Sequence, residues 1–215
     1  MTLFTTFVAD PPWPFKDHLP GPKRGSSKHY RLEPLDDICS FLSSHSLAPD
    51  GQVWDGDTPE DHLPIRERLA PGCRLFLWRV ASMQEEALRV MRAWGFTPKT
   101  EIVWIKTTKG SDVPHDLDEP RPGDKLHFGM GRTVRMSHEV CLVGVRGKPR
   151  VLSHSVRSVF FAPFQRHSEK PEVFSEIVES LSPGPYLELF ARRVRPGWTC
   201  VGDEVRPERR RGMVG

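Results

Sequence analysis

The sequence predicts an α/β domain whose sheet is covered by helices on both faces, and three observations lead there. Short continuous apolar runs, which suit buried strands, recur along the chain. Between them lie segments with apolar residues at helical spacing. The two kinds alternate, the pattern of strands joined by crossover helices. At 215 residues, 37% of them hydrophobic, the chain suits one globular domain with a sizeable core. We expect that domain to span residues 1–205, with residues 206–215 (RPERRRGMVG) as a frayed basic tail.

The first strand is Leu3 to Ala9, stopped by Asp10-Pro11-Pro12-Trp13, where two prolines forbid both helix continuation and ladder donation. Residues 14–34 are rich in Pro, Gly, Ser and Lys and read as a long loop. Leu35, Ile38 and Leu42 share one face of a short helix, and the polar residues 44–62 read as an irregular insertion. Leu75 to Val80 is a second strand. Ser82, with Glu85 three residues on, has the spacing of a capping box for a helix ending at Gly95. Ala87, Leu88, Met91 and Trp94 lie on one side of that helix. Glu101 to Lys106 is a third strand. Residues 107–137 carry too little apolar periodicity for an element, and a loop of that length in a compact domain is usually functional or disordered. Strands follow at Val140 to Val145 and Val159 to Ala162. Pro171 opens a helix carrying Val173, Phe174, Ile177, Val178 and Leu181, closed by Ser182-Pro183-Gly184. Tyr186 to Phe190 and Thr199 to Val201 are the last strands.

Composition excludes more than it selects. A net charge of +3 says little about partners. No apolar run is long enough to cross a bilayer, and no basic segment with an apolar core marks an export signal, so an intracellular, cytoplasmic protein is expected. Cys39, Cys73, Cys141 and Cys200 are widely spaced and read as reduced thiols. His115, His127, His138, His154 and His167 lack metal-ligand spacing, so no metal is expected. The absence of GxGxxG removes support for a nicotinamide or flavin cofactor.

The chemistry concentrates at Asp10-Pro11-Pro12-Trp13, at the carboxyl end of a buried strand, the edge where open α/β sheets bind ligands. A delocalised exocyclic amine such as N6 of adenine is a poor nucleophile and needs acceptors for its N–H groups. Asp10 offers a carboxylate, a carbonyl freed by the prolines (that of Pro11) offers a second acceptor, and Trp13 offers a flat face for a base. The same four residues also suit a plain proline-rich turn beside a core tryptophan.

Longer blocks decide between these. VADPPWPF, Lys28-His29-Tyr30, LFLW at 75–78, WGF…EIVWIK, HFGMGRTVRMSHEVCLVGVRGKPR at 127–150, HSEKPE at 167–172 and PGPYLELFARRVRPGW at 183–198 run in order over nearly the whole chain. Together they resemble the MT-A70 family of N6-adenine methyltransferases. The resemblance implies a Rossmann-like, mostly parallel sheet in permuted order, the catalytic motif first and the cofactor strand last. It implies S-adenosylmethionine as methyl donor, with Asp10, Lys170, Glu188, Phe190, Arg192, Asp203 and Glu204 around it. Lys170, just before a helix start, suits the methionine carboxylate, and Glu188, a charge inside an apolar strand, suits the ribose hydroxyls. Tyr30, Lys125, Arg132, Arg135 and His138 are the residues expected on the substrate side. One departure stands out: the family's Gly-Asn-Glu is Gly202-Asp203-Glu204 here, and an ionised Asp only accepts hydrogen bonds. From Lys125 to Arg157 seven basic residues accompany the single acid Glu139, the footprint of phosphate contacts. The expected substrate is adenine in DNA, with RNA as the alternative; a non-catalytic nucleic-acid-binding partner subunit and homo- or hetero-oligomers are also consistent.

Overall fold

The computed structural model describes residues 2–14, 32–47, 53–55, 63–108, 125–129, 133–165 and 169–205. A seven-stranded sheet is built from β1 (Phe4–Ala9), β5 (Leu69–Arg79), β6 (Thr97–Thr107), β7 (His138–Arg146), β8 (Val159–Pro163), β9 (Tyr186–Leu189) and β10 (Trp198–Val201). Their spatial order is β10-β9-β1-β5-β7-β6-β8. Every strand but β7 runs the same way: β1 pairs in parallel with β5 and β9, β9 with β10, and β6 with β8, while β7 is antiparallel to both its neighbours. The first strand therefore lies in the interior of the sheet, between a strand from the middle of the chain and one from near its end.

Among the described residues three helices cover the sheet on both faces, as the alternation predicts. Alternate residues of the strands point to opposite sides. On one side Phe7, Ala9, Leu75 and Leu77 form a core with α1 (Leu35–Ser44) and α2 (Gln84–Ala93), through Ile38, Leu42, Ala87, Val90 and Met91. On the other, Val8, Phe76, Trp78, Trp104 and Phe160 meet Phe174, Ile177 and Val178 of α3 (Val173–Leu181). Acidic residues Asp36 and Asp37 open α1, and Glu85 and Glu86 open α2, where the helix dipole favours them. Gly95, at φ 84°, takes the left-handed turn that ends α2. Among the described residues no helix is long and apolar enough to cross a membrane.

Several boundaries differ from the sequence reading. The helix begins one turn-fraction later than Ser82: Met83 is the N-cap and no side chain caps it, so the capping box does not form. The segment 44–62, read as an irregular insertion, instead contains β2 (His45–Leu47) and β3 (Val53–Asp55), which with β4 (Leu63–Pro64) just beyond it form a small antiparallel sheet, followed by a 3-10 turn at Ile65–Arg68. Its strands are too short and polar to show periodicity. Strands β5 and β6 are each 11 residues, longer than their apolar runs: β6 starts in largely exposed residues paired with β7, and β5 starts at Leu69 and Ala70, buried but cut off from the apolar run by Pro71-Gly72. The loop at 14–34 and the tail at 206–215 fall mostly or wholly outside the described residues.

Candidate active site

The side-chain alternation that builds the second core also builds the site. Asp10 follows β1 in step with Val8; Lys106 on β6 is in step with Trp104; Glu139 on β7 is in step with Cys141; Glu188 on β9 is registered against Val8. All four thus fall on the α3 face. Six parallel strands bring their carboxyl ends to this edge and β7, being reversed, brings its amino end. Lys170, which precedes α3, reaches into the group.

An alternating chain of charges results. Lys170 Nζ donates to Asp10 Oδ2 at 2.7 Å and lies 3.2 Å from Glu139 Oε2, and Lys106 Nζ is 2.6 Å from Glu139 Oε1. Lys170 also sits over the Trp78 ring at 5.2 Å, and Lys106 over Trp104 at 5.1 Å. Burial pushes the Glu139 carboxyl up, but the two ammonium groups, both hydrogen-bonded to it, outweigh that and hold it below the usual carboxylate range. Burial likewise pulls Lys170 down, and the attraction of Asp10 and Glu139 overcomes it and raises the ammonium above its ordinary value. Glu139 and Lys170 are therefore both held in their charged forms.

Asp10-Pro11-Pro12-Trp13 makes a tight turn, which changes two expected roles. The Pro11 carbonyl is not free: it accepts the Trp13 N–H at 2.8 Å, leaving one lone pair. The Pro12 carbonyl accepts the Glu33 N–H at 3.0 Å. Trp13 is 2% exposed and its Nε1–H donates to the Trp78 carbonyl at 3.0 Å. It anchors the motif to the core and offers no open face to a base; an apolar ring with a polar handle gains more from burial once a carbonyl can accept its N–H.

The other half of the site gathers at the ends of β9 and β10. Burial raises the Glu188 carboxyl, with Arg195 opposing, and Arg195 Nε lies 3.8 Å away. That Nε is buried and makes no hydrogen bond. Phe190 leaves β9 at φ 60° and packs on Phe41 with centroids 4.8 Å apart. Arg192 pairs with Glu204 at 3.3 Å, so the two act together, and Asp203 lies in the exposed turn after β10.

On the substrate side, Tyr30 and Arg132 lie outside the described residues. Lys125, Arg135 and His138 are exposed at the edge that holds Asp10. The expected basic stretch does not form one surface. Because β7 is reversed, it carries the chain from His138 at the site edge to Arg146 at the opposite edge, where Arg146 is registered against Cys73 and bonds the Arg66 carbonyl. Lys148, Arg150 and Arg157 follow on that far side, before β8 begins. The sequence reading also missed Lys106 and Glu139 as members of the site. Glu139 did leave a signal: it is the one acid among seven basic residues, at the start of an apolar strand. Among the described residues no cluster suited to a metal occurs.

The MT-A70 family model matches residues 45–204. The chain belongs to the MT-A70 family. Among its relatives, the Danio rerio N(6)-adenosine-methyltransferase subunit METTL3 is 30% identical over 165 residues, 75% of this chain and 26% of the relative. The Drosophila melanogaster N(6)-adenosine-methyltransferase MT-A70-like protein is 27% identical over 206 residues, 94% of this chain and 27% of the relative. The Homo sapiens N(6)-adenine-specific methyltransferase METTL4 is 27% identical over 213 residues, 94% of this chain and 37% of the relative. This MT-A70 chain thus spans a quarter to somewhat over a third of the length of these relatives. Its mixed α/β architecture, with one reversed strand in an otherwise parallel sheet, is consistent with a Rossmann-like methyltransferase fold.

Proposed function

We propose that this MT-A70 chain transfers a methyl group from S-adenosylmethionine to N6 of adenine in DNA. The observation that carries the reading is Asp10, a carboxylate at the end of an interior strand held 2.7 Å from Lys170 Nζ. The residues present suit the cofactor. Lys170 has three N–H donors and spends two on Asp10 and Glu139, leaving one for the methionine carboxylate. Glu188, a half-buried carboxylate at a strand end beside the Arg195 Nε, which makes no hydrogen bond, suits a ribose diol. When bound, the cofactor supplies an electrophilic methyl group.

The chain's own residues prepare the acceptor. Asp10 takes one N6–H and the remaining lone pair of the Pro11 carbonyl takes the other, which favours a pyramidal, more nucleophilic nitrogen. The rigid double proline fixes both acceptors before the base arrives. Lys170 and Glu139 hold the carboxylate in place, and Asp10 is the group nearest to receive the proton that the amine loses. The intact motif and its paired lysine disfavour a purely non-catalytic subunit. The names of two relatives, which specify adenosine, favour RNA as a second reading. The test is incubation with labelled S-adenosylmethionine and matched DNA and RNA oligonucleotides, followed by digestion and identification of the methylated nucleoside. Label in N6-methyldeoxyadenosine supports the proposal; label only in the ribonucleoside supports the second reading, and label in neither removes both.

A further inference from the structure

Beside the charge chain stands an aromatic residue whose position the fold fixes but whose ring nothing buries. Phe128 is 74% exposed, the most exposed aromatic ring among the described residues. Its neighbours are tied down. The His127 N–H donates to the Lys106 carbonyl at 2.8 Å, and Ser137 Oγ donates to the His127 carbonyl at 2.7 Å. The His127 ring stacks on Phe164 at 4.2 Å. On the other flank, Gly129 lies so close to the Met136 carbonyl that a Cβ there would sit 2.2 Å from the oxygen. The backbone on both sides of Phe128 is thus clamped to β6 and to the lead-in of β7, and the ring is held out in water. The Arg135 guanidinium lies over it, 4.9 Å from the centroid.

A lone exposed Phe would be ordinary, but Leu126 and Val134, close to it in the chain, are exposed too, so a clamped segment presents more apolar surface to water than a single side chain, as a binding surface does. The ligand that matches a flat apolar face bordered by a guanidinium is an unpaired nucleobase with its phosphate: the ring stacks and the cation meets the backbone. Lys125, exposed on the same segment, adds a second cation. Lys106, whose carbonyl holds His127, is itself a member of the chain that ends at Asp10. We propose that Phe128, with Arg135, is a stacking platform for a base next to the target adenine, and that the substrate is presented single-stranded or locally unpaired. This rests on the nucleic-acid reading above and narrows it to unpaired substrate.

The test is a binding titration that needs no turnover. The probe is a short oligothymidine with a single adenine and 2-aminopurine beside it, whose fluorescence falls on stacking; an oligouridine counterpart and a fully paired duplex are run alongside. The wild type is expected to quench the single-stranded probes and bind them more tightly than the duplex. Phe128→Ala should lose the quench and bind about tenfold or more weakly, Phe128→Trp should restore both, and S-adenosylmethionine affinity should not change in either. Equal quench and affinity in Phe128→Ala, or tighter binding of the duplex that is insensitive to Phe128, overturns the platform. Phe128-dependent quenching without methyl transfer removes the proposed reaction and leaves the platform; methyl transfer indifferent to Phe128 does the reverse.

Discussion

Asp10 and Glu188 are both carboxylates at strand ends, and their surroundings push them to different work. Asp10 has an ammonium at 2.7 Å, so it is ready as an acceptor. Asp10→Asn presents a donor on one side of the carboxamide, and loss of one preorganised contact of this kind costs on the order of 10²–10³-fold in rate. Steady-state turnover checks this, with a thermal melt to show that folding is spared. Glu188 is different, because burial raises its pKa and Arg195 only partly compensates. A raised folded pKa means the group favours the fold fully only below the ordinary carboxylate range, and that contribution is lost as pH rises through the folded value. At neutral pH its ionised form therefore works against the fold. Glu188→Gln should raise the melting temperature of the ligand-free protein at pH 7 by about 2–4 °C, the effect of ~1 kcal/mol in a domain of this size. The gain should vanish near pH 4, and calorimetry should show weaker S-adenosylmethionine binding. An unchanged or lower melting temperature at pH 7 removes the idea that this carboxylate is kept for a ligand at the expense of stability.

At the scale of elements, α3 links stability to the site. Phe174 packs its ring against Trp78 at 4.6 Å and against Phe76 and Phe160 at 6.1 Å each. The chain leading into the same helix carries Lys170. Phe174→Ala should cost about 3–5 kcal/mol, the usual range for emptying a buried aromatic site. Chemical denaturation measures this, and the folded fraction should also bind S-adenosylmethionine more weakly because Lys170 loses its backing. A variant destabilised by less than ~1 kcal/mol would mean that α3 is not pinned by this ring. The main strands and all three helices were legible in the sequence because each has a buried stripe, as Val8, Phe76, Trp78 and Phe174 show. The small sheet β2-β3-β4 was not, since strands of two or three residues leave no period to read. Within the site, Asp10, Lys170 and Glu188 were legible through motif and resemblance. The burial of Trp13 and the entry of Lys106 and Glu139 were not, because they depend on which strands become neighbours and which way β7 runs.

At the scale of the molecule, the reversal of β7 divides the positive charge between two edges. Arg135 belongs to the site edge and Arg146 to the far one. Arg135→Ala should weaken binding to all nucleic-acid sequences and lower the slope of log affinity against log salt by roughly one unit. Arg146→Ala should leave both unchanged, and a salt titration of the two variants beside the wild type decides. Equal loss in both would mean that nucleic acid wraps to the far edge. The place of β1 has a different consequence, one that belongs to synthesis on the ribosome. Its partners are β5 on one side and β9 on the other, and β9 is not made until residue 189 has been added. Throughout the making of the middle of the chain, an interior strand of the finished sheet is an edge, with its N–H and C=O groups unpaired and its apolar face in place. Such an edge is open to pairing with another nascent chain. The last strands therefore do more than place Glu188 at the site edge: they close the sheet, and a ribosome stalled before β9 would release a chain primed to aggregate.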